Sequence, residues 1–182
     1  MIIEIDDSGT GDLVGDAFIG FLRKDTQELI FKTLPLELFQ NDNWKNKIPL
    51  KKAVELVKEG LKELNFDKDK EKVLVCRGNI FDEVRRYFEE AGINYSPAII
   101  EGKLQDAVEG KLIEHLRELG IKSKKLNKKS GAKRFFVLFN WVSEDFYQRE
   151  KFVKNGFKRW NTVWRKKGIE KFEKIQRSRK SR

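Results

Sequence analysis

The spacing of apolar residues along the first 120 positions constrains the fold of this chain more than any other feature. Three short segments with strand-like alternation come first, and they are separated by glycine-rich or polar turns. Two more apolar segments then alternate with stretches of helical periodicity. The predicted strands cover 2–6, 16–22, 28–34, 73–76 and 97–100, and the predicted helices begin near Pro49, Asn79 and Leu104.

This order, β-β-β-α-β-α-β-α, predicts an α/β domain with a mixed five-stranded sheet. The first three strands can pair as an antiparallel meander, whereas each later strand needs a parallel crossover through a helix. We therefore expect one domain over residues 1–120. A basic and aromatic extension over 121–168 should pack on or beside it, with Arg134 to Trp141 as an added strand followed by helix. Residues 169–182 have little apolar content and are expected to form a mobile basic tail.

Charge is distributed unevenly along the chain. Residues 1–120 contain 18 Lys and Arg against 24 Asp and Glu, whereas residues 151–182 contain 13 against 2. An acidic front and a cationic back suit a protein that handles phosphodiesters, because carboxylates attract metal while Lys and Arg neutralise phosphates. A solubilising tail is the alternative reading of the same charges.

The composition excludes several kinds of chemistry. One cysteine and one histidine cannot form an internal disulfide, and they leave little scope for a thiolate metal site or a catalytic triad. Any metal is therefore expected to be a hard ion bound by carboxylates, Mg²⁺ or Mn²⁺, with a two-metal centre as one possibility. No membrane span and no secretory leader are expected, which favours a cytoplasmic protein. The richness in Lys and Glu is a trend of hyperthermophile proteins.

The segment Ile5-Asp6-Asp7-Ser8-Gly9-Thr10-Gly11 carries the sharpest chemical signal. Two adjacent carboxylates at the end of a strand repel each other and raise each other's pKa unless a cation lies nearby. The glycines that follow let backbone N–H groups approach a phosphate or a sugar closely. Asp6 and Asp7 are therefore predicted to be catalytic and metal-binding residues.

These residues resemble the first motif of type 2 ribonucleases H, in which an Asp-Glu pair ends the first strand and glycines follow at the same spacings. Asp7 stands where that family has Glu, and Thr10 stands where it has Arg. The predicted element order also resembles that of the ribonuclease H-like superfamily. The resemblance implies a nuclease that uses divalent metal.

The fourth predicted strand departs from the family pattern, because Arg77-Gly78-Asn79 stands where the family has an Asp-Gly-Asn-like turn. Either another carboxylate replaces the missing ligand, or the site is not a standard two-metal centre. Glu101 at the end of the fifth strand is one candidate. Asp106 is another, since resolvase-like branches of the superfamily place a late acid on the following helix.

Asp6, Asp7, Glu101 and Asp106 thus form the predicted cluster. We expect Asp82 and Glu109 to lie on solvated helix faces, His115 to pack at the edge of its helix, and Cys76 to be a small core residue. The rings of Phe157, Trp160 and Trp164 share a helical face. They should dock on the domain rather than stay exposed.

Binding of RNA, DNA or a hybrid is assigned to the glycine turn and to the cations of the extension. The predicted contact residues are Gly9, Thr10, Gly11, Lys124, Lys125, Lys128, Lys129, Lys158, Arg159, Arg165, Lys166 and Lys167. The predicted function is a metal-dependent nucleic-acid phosphodiesterase. A ribonuclease H-like protein that binds RNA or DNA without cleaving it is the alternative, favoured by Arg77.

An actin-like ATPase is excluded on length. Asp7-Ser8-Gly9-Thr10-Gly11 also resembles the phosphate loop of that family, but such proteins need two lobes around the nucleotide. No second glycine-rich phosphate motif follows residue 15, and no nucleotide cofactor is expected.

Overall fold

The computed structural model of the protein describes residues 1–127 and 131–180. A five-stranded mixed sheet forms its centre, as the pattern of the sequence predicts. The strands are β1 Ile2–Ser8, β2 Ala17–Arg23, β3 Leu29–Leu34, β4 Lys72–Cys76 and β5 Tyr95–Ala98.

The strands lie in the order β3-β2-β1-β4-β5. β1, β2 and β3 form the antiparallel meander, while β4 pairs in parallel with both β1 and β5. The β1–β4 register places Ile5 opposite Val75. Because the carboxyl ends of parallel strands lie at the same edge of a sheet, the residues that follow Ile5 and Val75 meet at that edge.

Six α-helices are present among the described residues. They are α1 Ile48–Glu63, α2 Asp82–Glu90, α3 Lys103–Glu118, α4 Gly131–Glu144, α5 Phe146–Arg149 and α6 Arg165–Lys180. A π-helical turn, Trp160–Trp164, leads directly into α6. Within the described ranges, none of these helices combines the length and the apolar character that a membrane crossing requires.

Hydrophobic cores lie on both faces of the sheet. Ile3 and Ile5 of β1 belong to a core formed with the apolar sides of α1 and α2. A second core contains Val108 and Leu112 of α3 together with buried residues of α4. The side chains of β1 therefore alternate between two buried faces, as the alternation of strand residues requires.

The extension differs from its prediction at Arg134 to Trp141, which is helical in α4 rather than an added strand. The run of aromatic and branched residues there has high strand propensity. However, Leu138 and Val142 are four residues apart and both are fully buried in the second core. Burial of one helical face at this spacing outweighs intrinsic propensity.

The C-terminal residues also differ from their prediction, because the expected mobile tail is helical to Lys180. Ile169 and Phe172 pack against the second core. Residues 181–182 lie outside the described residues. The expectation that the ring residues dock is confirmed, since Trp160 is 2% exposed in the second core and Phe157 packs against the first.

Truncation measures how much α6 contributes to stability. A chain that ends at Lys167 should lose on the order of 2 kcal/mol of unfolding free energy, because two half-buried apolar side chains leave the second core. A chain that ends at Glu173 keeps Ile169 and Phe172 and should unfold like the full chain. Urea denaturation of the three proteins tests this, and equal midpoints for all three would contradict it.

Candidate metal centre

The candidate site lies at the carboxyl edge of β1 and β4. Asp6 and the half-buried Asp7 come just before Ser8, the last residue of β1, and Cys76 ends β4. One ligand atom from each of these three residues lies within 4.8 Å of the others. The parallel register of β1 and β4 accounts for the grouping, because Asp6 and Cys76 each come one residue after the pair Ile5 and Val75.

Burial raises the pKa of both carboxyl groups, so that they are weaker acids than an ordinary aspartate. Asp6 is 6% exposed, and its pKa is raised chiefly by desolvation, with a hydrogen bond from Cys76 acting against the rise. Desolvation raises the pKa of Asp7 to about 6, assisted by the charge of Asp6. The Thr10 hydroxyl donates a hydrogen bond of 2.6 Å to Asp7 Oδ2 and limits that rise. Ionised forms of the pair are therefore costly without a compensating cation.

Cys76 contributes a neutral thiol. Burial and the neighbouring aspartates raise the pKa of Cys76 to about 12, so that the group stays protonated at neutral pH. It can then donate to Asp6, in agreement with its lowering of the Asp6 pKa. Cys76 was expected to be a simple core residue, whereas it lies half-buried in the acidic group.

Glu109 faces the same edge from α3, contrary to its expected place on a solvated helix face. Ser8 Oγ donates to Glu109 Oε1 at 3.0 Å. The negative charge of Glu109 raises the pKa of both Asp6 and Asp7. The carboxylate is therefore close enough to belong electrostatically to the site.

Arg134 of α4 connects this edge to the extension. Its Nε donates to Asp12 Oδ1 and its Nη1 donates to Glu109 Oε2, both at 2.8 Å. The guanidinium is buried, and hydrogen bonds from it to these two carboxylates raise its pKa against the effect of desolvation. Asp12 and Glu109 are thus neutralised by an internal cation.

Lys154 places a second buried cation beside the glycine turn. The residue is 0% exposed, and its Nζ donates to the carbonyl oxygen of Gly9. Burial lowers the pKa of Lys154 to about 8, while the charges of Asp12, Asp16 and Asp7 act in the opposite direction. The ammonium therefore stays largely protonated at neutral pH and fixes the position of the turn.

The turn itself depends on glycine at one position. Gly9 has a φ of +89°, and a Cβ there would lie 2.8 Å from Leu112 Cδ1. A larger residue would be strained and would collide with α3. Gly11, in contrast, is exposed and has open space where a Cβ would project.

The other predicted acids lie away from this group. Glu101 is exposed after β5, and Asp106 is exposed in the first turn of α3, one turn before Glu109. Neither belongs to the group that Asp6, Asp7 and Cys76 form within the described residues. Asp82 forms an exposed ion pair with Arg85. The exposed position of Asp82 agrees with its expected place on a solvated helix face. The assignment of Glu101 and Asp106 as metal ligands stays a prediction.

Arg77 and His115 were also singled out in the sequence. Arg77, the cation that stands where the family has an acid, is exposed. His115 packs edge-on against Phe18, and its Nε2 accepts a hydrogen bond of 3.0 Å from the backbone N–H of Asp16.

Most of the predicted nucleic-acid contacts lie on the surface. Lys124, Lys125, Lys158, Arg159, Lys166 and Lys167 are exposed. Arg165 is exposed and forms an ion pair with Glu150. Lys128 and Lys129 lie outside the described residues.

Comparison with known proteins adds no family to this picture. No protein-family model matches the chain. No curated protein matches it either.

Replacement of Asp7 by Asn should stabilise the metal-free protein at pH 7.5. A folded-state pKa of about 6 against an ordinary 3.8 means that the folded protein binds the proton more tightly. The stabilising contribution of Asp7 to the free energy of unfolding is therefore fully present below about pH 4. It is lost as the pH rises through 6, and the total loss is at most about 3 kcal/mol. Denaturation in EDTA should show Asp7→Asn more stable than the wild type at pH 7.5 and equal at pH 4.

Asp12→Asn is the matched control with the opposite sign. It removes one of the two carboxylates that compensate the buried Arg134, and it should lower stability at pH 7.5 by about 1–3 kcal/mol. The electrostatic description of the site is wrong if both variants shift stability in the same direction.

Proposed function

We propose that this protein is a metal-dependent nucleic-acid phosphodiesterase of the ribonuclease H-like type. The observation that carries the proposal is the pair formed by the buried Asp6 and the half-buried Asp7 at the carboxyl edge of the central strand. Their pKa values are raised, and their ligand atoms lie within 4.8 Å of each other. Such a pair is stabilised when a divalent cation replaces the protons.

The residues at this edge fit a hard divalent ion. Asp6 and Asp7 supply oxygen ligands, which Mg²⁺ and Mn²⁺ prefer. Cys76 is a poor ligand for a hard ion because its donor atom is a soft sulfur, and its thiol serves as a hydrogen-bond donor to Asp6. Bound Mg²⁺ or Mn²⁺ would supply a water of lowered pKa and a counter-charge for the leaving oxygen.

The chain's own residues hold the pair in place. Thr10 donates to Asp7 and fixes one of its oxygens. Ser8 and Arg134 hold Glu109 beside the pair, which makes Glu109 the best-placed third acid on α3. We propose Glu109 for the role that the sequence assigned to Asp106 or Glu101.

Three features support a nucleic-acid substrate. The β-β-β-α-β-α-β-α order that the apolar pattern predicts, and that resembles the order of the ribonuclease H-like superfamily, is observed in the sheet and its helices. The motif Asp6-Asp7-Ser8-Gly9-Thr10-Gly11 resembles the first motif of type 2 ribonucleases H. The extension presents exposed Lys and Arg that can neutralise phosphates.

Asp6→Asn should abolish divalent-metal-dependent cleavage, since it removes an anionic ligand with almost no change of volume. The rate on RNA, DNA and hybrid substrates in Mg²⁺ or Mn²⁺ should fall at least about 100-fold, the upper end of what loss of a supporting residue costs a metal site. Calorimetry should show weakened Mn²⁺ binding. A wild type that cleaves none of these substrates would overturn the proposal.

Control variants locate the third acid. Glu109→Gln should impair cleavage, whereas Asp106→Asn and Glu101→Gln should leave it near the wild-type rate. If Asp106→Asn or Glu101→Gln impairs cleavage and Glu109→Gln does not, the third acid is the one that the sequence analysis named. Thermal unfolding of each variant separates loss of a ligand from loss of the fold.

The alternative is a ribonuclease H-like protein that binds nucleic acid without cleaving it. One observation favours it: Glu109 is already neutralised by Arg134, and the metal-ligand group contains only two carboxylates among the described residues. Both functions use the same cationic surface. They differ in whether the protein cleaves nucleic acid when Mg²⁺ or Mn²⁺ is added.

In both functions the Lys and Arg residues of the extension bind phosphates of the nucleic acid. The affinity should therefore fall as the salt concentration rises. Lys166→Gln with Lys167→Gln should flatten the slope of log K against log salt by about 0.7 per lost contact for single strands, or about 0.9 for duplex DNA. Lys62→Gln with Lys68→Gln is the matched control, because both residues are exposed but precede β4 at the other end of the strand. Equal slopes for the two double variants would show that the extension does not contact phosphates.

A further inference from the structure

An aromatic cleft of about 340 Å³ opens between the glycine turn and the extension. It is lined by Gly11, Leu13, Phe135, Phe136, Phe157, Arg159, Trp160 and Trp164. Five of these eight residues carry aromatic rings. The cleft lies outside the acidic group described above.

The rings offer accessible faces and edges. Phe136 is 51% exposed although it is a large apolar residue. Trp164 is half-buried, and its ring centroid lies 4.7 Å from that of Phe135 and 6.0 Å from that of Phe136. An exposed ring beside a fixed aromatic cluster is a suitable platform for a flat aromatic ligand, because stacking needs one rigid partner.

Trp160, one of the residues that line the cleft, has a buried hydrogen-bond donor without a partner among the described residues. Trp160 is 2% exposed, and its Nε1 has no hydrogen-bond partner among the described residues. A buried indole N–H normally finds a partner, since leaving it unpaired costs free energy.

The rim of the cleft is cationic. Arg159 lines it, and Lys158 beside it is exposed. Lys166 and Lys167 are exposed one turn beyond Trp164, with Lys167 Nζ 4.9 Å from the Trp164 ring centroid. Aromatic rings surrounded by cations complement a ligand that joins a flat base to a phosphate.

The cleft and the carboxylates share the glycine turn. Gly11 lines the cleft, while Thr10 donates to Asp7. Four peptide units join Asp7 to Gly11, so their Cα atoms are at most about 14 Å apart. A strand that has a phosphate at Asp7 can therefore place a neighbouring nucleotide at the cleft.

We infer that this cleft binds an unpaired base of a single-stranded nucleic acid, with the adjoining phosphates against Arg159 and the exposed lysines. The inference rests on the proposed function for its substrate class. It goes beyond that function by specifying an unpaired strand and a site that recognises the base rather than the backbone. An apolar peptide segment is the competing occupant, and the cationic rim disfavours it.

Fluorescence anisotropy with two labelled probes tests the inference. One probe is a short thymidine oligonucleotide, and the other is an abasic strand of equal length with the same phosphates. Measurements in EDTA exclude cleavage. The wild type should bind the strand with bases about tenfold more tightly than the abasic strand, in the range of one stacked base.

Phe136→Ala should remove most of that preference while leaving affinity for the abasic strand unchanged. Tyr147→Ala is the matched control, because Tyr147 is an exposed aromatic residue of the same extension, 63% accessible, that does not line the cleft. It should keep the full preference. Arg159→Gln should weaken binding of both probes by the same factor.

Two results would overturn the inference. One is a wild type that binds both probes equally, which would leave the cleft to an apolar partner. The other is a Phe136→Ala variant that keeps the wild-type preference. If Phe136→Ala melts early, Phe136→Leu replaces it, since leucine retains apolar volume without a ring to stack.

The outcome is independent of catalysis. A base preference that depends on Phe136, in a protein that cleaves nothing in Mg²⁺ or Mn²⁺, supports the cleft and refutes the phosphodiesterase. Cleavage that depends on Asp6, without any base preference, supports the phosphodiesterase and refutes the cleft.

Discussion

The buried ammonium of Lys154 is the constraint on which the acidic edge depends. It joins the extension to the glycine turn by donating to the carbonyl of Gly9, and its backbone N–H donates to Leu13 at 2.9 Å. A fully buried lysine is tolerated only where carboxylates compensate its charge, and Asp7, Asp12 and Asp16 do so. The position of the turn is therefore determined by residues that are about 145 positions apart in the chain.

Compensation of charge at this edge is unequal. Asp12 and Glu109 share the guanidinium of Arg134, whereas Asp6 and Asp7 have raised pKa values even with Lys154 nearby. Ionisation is thus most costly at the two adjacent aspartates, whose raised pKa values show that the charges nearby compensate it only in part. This inequality distinguishes a candidate cation site from an internal ion-pair network, in which every carboxylate has a partner.

The aromatic residues of the extension serve two purposes. Trp160 and Phe146 stack with ring centroids 6.2 Å apart inside the second core, where they attach the C-terminal helices to α3 and α4. Phe136 and Trp164 remain partly exposed on the side of the glycine turn. Packing of Trp160 against Phe146 holds Phe136 and Trp164 beside the acidic edge. The same packing therefore stabilises the extension and determines the shape of the cleft.

The sequence by itself determined the sheet, the three helices of the first 120 residues and the acidic pair, because these depend on periodicity and turn residues that are local. It failed at Arg134 to Trp141, where strand propensity was overridden by burial of Leu138 and Val142. Only the tertiary structure brought Glu109 and Lys154 close to the acidic pair, and Arg134 to Asp12 and Glu109. Those contacts join residues far apart in the chain, and no local pattern of a single sequence encodes which distant charges will be buried together.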